Sequence, residues 1–103
     1  MLGLVSGFDW DAGNTENCQK HGLTIEEVEL LFRASIDVFP DVDHSRTETR
    51  FFGIGRTSTG RHVFVAFTLR TKDGGRVIRP ISARFMHAKE VTHYAAEIAR
   101  RKN

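Results

Sequence analysis

His21 stands between Lys20 and Gly22 in a polar stretch of this 103-residue chain. Histidine is the side chain whose ordinary pKa lies nearest neutral pH, so it suits a general acid or base. A lysine beside it supplies positive charge where negative charge develops. Arg50 and Arg84 add planar, permanently charged forks that match phosphate oxygens. Such a set suits proton transfer at a phosphodiester. Each member also has a plain structural reading: His21 as the cation at a helix C-terminus, each arginine as a charge on a strand edge. The residues alone leave both readings open.

Other reactive types are sparse. Cys18 is the single cysteine, so no disulfide forms within the chain, and without an activating neighbour it reads as a small packing residue or an inert surface thiol. No CxxC or paired-histidine spacing suggests a metal, and His87 with Glu90 would supply too few ligands. His87, Glu90 and Tyr94 share one helical face by their spacing. Tyr94 suits stacking on a base or packing on a sheet, with Glu90 bonded to an arginine. His44 and His62 carry no assignment.

The elements that must position these residues follow from pattern. Gly7 to Trp10 reads as a short strand with Phe8 and Trp10 on one face. Asp11 to His21 reads as a short helix with Asp11 as N-cap and Gly22 as the left-handed residue beyond it. Thr24 and Glu27 form a capping box, after which Ile25, Val28, Leu31 and Phe32 recur at helical spacing while Glu26, Glu27 and Glu29 face water. Pro40 ends this stretch, and Asp41 to Ser45 is a polar turn. A β-meander follows: Arg50 to Thr57, His62 to Leu69, then Arg76 to Phe85. Val63, Val65, Phe67 and Leu69 make one apolar face of the middle strand, and Phe64 and Ala66 the other, so that strand is central and covered on both sides. Lys72-Asp73-Gly74-Gly75 is a hairpin turn, and Pro80 places the last strand at an edge or at a bulge. A helix from His87 to Arg101 buries a stripe of Val91, Ala95 and Ile98, with Arg100, Arg101 and Lys102 at its negative end. The expected order is β-α-α-β-β-β-α: an α+β domain over residues 1–103, a small antiparallel meander with N-terminal helices and a C-terminal helix packed on it.

A composition of 40% hydrophobic and 27% charged residues suits a soluble domain, and no apolar run reaches the ~18–20 residues that span a bilayer. The start, Met1 to Val5, lacks a signal peptide's basic region, so the expected compartment is the cytoplasm. The net charge of +2 hides a division. Residues 1–43 hold two Lys/Arg against nine Asp/Glu, a net −7; residues 44–103 hold thirteen against four, a net +9. The second half therefore suits a polyanion, or is a solvated basic surface.

Five segments together resemble the BrnT toxin family: Phe8-Asp9-Trp10-Asp11, Asn17-Cys18-Gln19-Lys20-His21-Gly22, Arg50-Phe51-Phe52-Gly53-Ile54-Gly55, Ile81-Ser82-Ala83-Arg84, and Glu90 with Tyr94. The ordered set, rather than any one segment, carries the likeness. The resemblance implies a RelE-like fold, metal-independent RNA cleavage by 2′-hydroxyl attack that inhibits translation, and neutralisation by a BrnA-type antitoxin in a hetero-oligomer. No cofactor is expected. His21, Lys20, Arg50 and Arg84 are then the expected catalytic residues, and Arg56, Arg79, Glu90 and Tyr94 the expected RNA contacts. Many relatives carry a lysine shortly after the Trp-Asp pair, where this chain reads Ala12-Gly13-Asn14. The alternative is a non-catalytic module that binds nucleic acid or pairs with an antitoxin, using the same basic half without needing His21.

Overall fold

The computed structural model describes residues 5–34, 36–44 and 47–102. Ser45, at the end of the expected polar turn, and Met1 to Leu4 lie outside the described residues. The architecture is α+β, with the element order β1 (Gly7–Phe8), α1 (Ala12–Gln19), α2 (Ile25–Arg33), β2 (Asp37–Pro40), β3 (Arg50–Arg56), β4 (His62–Lys72), β5 (Gly75–Phe85) and α3 (Ala88–Lys102). A single 3₁₀ turn, Val42–His44, lies between β2 and β3. No helix among the described residues is long and apolar enough to cross a membrane.

Both N-terminal helices start on capping boxes. Asp11 accepts from the Asn14 backbone while the Asn14 side chain accepts from Asp11; Thr24 and Glu27 do the same for α2. Asn14 does more than cap. Its buried amide also donates to the carbonyls of Asp9 (2.9 Å) and Pro80 (2.7 Å), tying α1 to β5. Glu29 does not face water as expected: it is half-buried, and its carboxylate accepts from the Trp10 indole at 2.9 Å.

The sheet runs β1-β5-β4-β3-β2, antiparallel except for the β1–β5 pair. Strand β4 is central, as its two apolar faces require. Strand β2 is a correction to the expected order. Asp37 to Pro40 pairs with Ile54 to Phe51 on β3, and Pro40 closes this edge strand, where a missing N–H costs little. Strand β1 pairs with β5 only at Val77 and Ile78, so Pro80 lies beyond that pairing, on a stretch with no outer strand, and at the register shift beside Ala66 and Phe67. The β4–β5 hairpin turns through Asp73 (φ 51°) and Gly74 (φ 79°), the paired left-handed conformations of a tight hairpin.

Helices α1 and α2 cover one face of the sheet. Cys18, Leu23, Val28, Leu31, Val63, Val65 and Ala83 form the core there, with Trp10, Phe32, Ile36 and Phe85 packed around it. Phe67 is fully buried on that face, edge-on to Phe32 at 4.9 Å and stacked on Phe51 at 5.5 Å. The other face is only partly covered. Helix α3 crosses it, and its expected stripe is half-buried at Val91 and Ile98 but exposed at Ala95. An apolar groove stays open between helix and sheet, so Phe64 is half-buried while Ala66 is buried.

Candidate functional site

The strand register decides which basic residues can meet. Arg56 pairs with His62, and Phe85 with Val63, so the end of β3, the start of β4 and the end of β5 share one end of the sheet. The turn after α1 reaches the same end. Gly22 (φ 93°) lies against Phe85, where an added methyl would meet ring carbon Cε2 at 3.9 Å. Exposed Lys20 and His21 immediately precede that glycine. Arg61 enters from the β3–β4 turn, with its guanidinium 3.5 Å from the Phe85 ring centroid. Arg61 was not singled out from sequence; only the turn at Ser58-Thr59-Gly60 marks it as lying at a sheet end.

Arg84, Glu90 and Tyr94 reach this end from the opposite face. Arg84 pairs with Phe64 and stacks on its ring at 4.9 Å. Its two terminal amines donate to the two carboxylate oxygens of Glu90, each at 2.8 Å. Glu90 also accepts from the His87 backbone N–H at 2.8 Å, capping α3 from within its first turn. The pair thus fastens α3 to β5 and fixes the orientation of the guanidinium. The Arg84 hydrogen bonds, then the His87 N–H, hold the Glu90 carboxyl down at about 2, and Glu90 in turn raises the Arg84 pKa. Glu90 is therefore ionised at neutral pH and has little driving force as a proton carrier. Tyr94 donates to Asp37 on β2, and burial, then Asp37, raises its pKa to about 12, so it remains a phenol. Its ring also meets His62 edge-on at 6.1 Å.

Arg50 and Arg79 lie elsewhere. Both align with Thr68, near the middle of β4, on the sheet face that carries Arg84. Thr68 is four residues along β4 from Phe64, which at the usual strand rise is about 13 Å. Arg50 and Arg84 are therefore not neighbours on the sheet. Arg79 is already engaged, by Asp11 at 2.8 Å and Asp9 at 3.4 Å, and it secures the β1–α1 junction. The Asn14 N–H, then Arg79, lower the Asp11 pKa.

Cys18 is fully buried, and desolvation raises its thiol to about 11, so it is a core residue and not a nucleophile. Among the described residues, no three His, Cys, Asp or Glu side chains gather as a metal site.

A family model described as the ribonuclease toxin BrnT of type II toxin–antitoxin systems matches residues 10–90. The chain belongs to the BrnT family. No curated protein matches it in a sequence comparison. The BrnT match runs from Trp10 to Glu90, so it takes in α1, α2, β2 to β5 and the Arg84–Glu90 pair, and stops before Tyr94.

The Arg84–Glu90 pair carries a pH prediction. A carboxyl held below its unfolded value near 4.5 stabilises the fold above that value, and the contribution is lost as pH falls from there towards about 2. Glu90→Gln should therefore be less stable than wild type at pH 7, with the gap narrowing as pH falls through this window. Urea unfolding at a series of pH values reads it. A gap constant with pH would show that the ion pair contributes nothing to the fold.

Proposed function

We propose that this chain is a metal-independent endoribonuclease that cuts RNA by 2′-hydroxyl attack, inhibits translation, and is neutralised by a BrnA-type antitoxin. What supports this reading is that Arg56, Arg61 and Arg84 lie towards one end of the sheet, and that the turn carrying Lys20 and His21 reaches the same end, in a chain of the BrnT family. RNA supplies its own nucleophile, so the protein must move protons and stabilise the charged phosphorane. His21 takes the 2′-hydroxyl proton as the 2′-oxygen bonds to phosphorus and returns it to the leaving 5′-oxygen as the P–O5′ bond breaks, giving a 2′,3′-cyclic phosphate, while Lys20 and Arg84 stabilise the phosphorane. Glu90 keeps the Arg84 fork oriented, while Arg56 and Tyr94 extend the grip on the strand. Arg50 and Arg79, further along the sheet face beside Thr68, meet flanking phosphates and position the substrate.

The test is an RNA carrying one 2′-deoxy nucleotide immediately 5′ of a mapped cleavage point. Cleavage should vanish there and persist at unmodified positions. Cleavage that continues past the missing hydroxyl would rule out this mechanism. Folded protein that binds RNA and never cuts it would favour the non-catalytic module, for which the basic second half suffices.

A further inference from the structure

The sheet face under α3 holds an unusual aromatic row. Phe64 on β4, Phe52 on β3 and Phe39 on β2 stack in succession, with centroids 5.2 Å apart and planes within 26°. The row is closed at both ends by cations: Arg84 lies over Phe64 at 4.9 Å and Arg101 over Phe39 at 4.7 Å. Beside it runs a groove of about 460 Å³, with Ile54 and Met86 in its floor and α3 as its wall.

Two kinds of occupant suit an aromatic surface. A nucleobase stacks on a free ring face. Here the ring faces are taken up by neighbouring rings and by the two arginines, so the row offers chiefly edges. A ribbed floor of ring edges instead receives aliphatic side chains projecting from a helix, at i, i+3 and i+7. The charges at the rim narrow the choice further. The two carboxylates lining the groove are both engaged, Glu90 by Arg84 and Glu97 by Arg100. No carboxylate among the described residues pairs with Lys89 or Arg101, which also line it. The groove therefore presents an apolar floor with unopposed positive charge.

We propose that this groove seats the antitoxin, and that it takes an amphipathic helix with aliphatic side chains on one face and carboxylates along its edge. The proposal rests on the antitoxin pairing put forward above and adds its location and chemistry. A helix seated there covers Glu90 and Tyr94, which line the same groove, and so closes one approach to the RNA site.

The test measures affinity for a purified BrnA-type antitoxin, alongside RNA cleavage by each variant alone. Phe52→Ala removes the middle of the row and should weaken the complex by about thirty-fold or more, as for a central anchor. Lys89→Glu with Arg101→Glu changes only exposed side chains, so it tests the rim without disturbing the core; it should weaken binding by at least about ten-fold, more at low salt. Both variants should cut RNA as wild type does. If the antitoxin binds wild type and both variants equally, the groove is not its seat, although the pairing stands. If it does not bind wild type at all, the pairing fails and the proposal with it. Loss of RNA binding with antitoxin affinity intact would make the row a nucleic-acid platform and overturn the proposal. So would a wild-type dimer that Phe52→Ala turns into a monomer, since the occupant would then be a second copy.

Discussion

His21→Ala lowers RNA cleavage by about a hundred-fold or more, the usual loss when a general acid or base is removed. The ring is exposed at the turn after α1, so its removal opens no cavity in the core. RNA affinity should change far less, because one contact is a small share of an interface built on a half-chain with thirteen Lys/Arg. Thermal unfolding of the same variant separates chemistry from structure. A cation at a helix C-terminus contributes about 0.3–1 kcal/mol when exposed, which leaves most molecules folded. Activity that falls only in step with folded fraction would return His21 to a structural role. Activity that stays at the wild-type level would move the proton carrier elsewhere, with the assignment of Lys20 in doubt as well.

Phe67→Ala should cost about 3–5 kcal/mol, a large share of the ~5–15 kcal/mol that holds a small domain together. Phe67 is fully buried where β4 meets α2, and its ring joins Phe32 above to Phe51 beside it. Truncation deletes both aromatic contacts and leaves a void that the paired strands cannot close. The denaturation midpoint should fall sharply with little change in slope. A loss under about 1 kcal/mol would mean that the site collapses around the smaller residue, contrary to a close-packed core.

The parts of the fold written in local pattern are legible in the sequence. Thr24 and Glu27, three residues apart, announce α2; Asp73 and Gly74 announce the hairpin; unbroken apolar residues from Val63 to Phe67 announce a central strand. Strand β2 was not legible. Asp37 to Pro40 lacks alternation and ends on a proline, and it becomes a strand because β3 offers it a free backbone edge. Glu29 hid for a similar reason: its helical position pointed to water, and only the return of Trp10 against α2 shows otherwise.

The candidate site divides in the same way. Residue types named the chemistry, but register decides the company each residue keeps. Arg50 opens the first meander strand and Arg84 closes the last, so the sequence already sets them at opposite strand ends; only the pairing, with Thr68 and Phe64 respectively, fixes how far apart they lie. Glu90 and Arg84 are six residues apart across a strand–helix junction, where neither helical nor strand spacing applies. The approach of Gly22 to Phe85 joins segments far apart in sequence, and no local signal encodes it.

The most direct test of the account is the chemistry of the cut ends. Purified, folded wild type is incubated with RNA in EDTA, and the new 3′ termini are identified by mass. The account predicts cleavage undiminished by the chelator, with 2′,3′-cyclic phosphate ends. Termini carrying a 3′-hydroxyl, or cleavage that stops in EDTA and returns with a divalent cation, would contradict it.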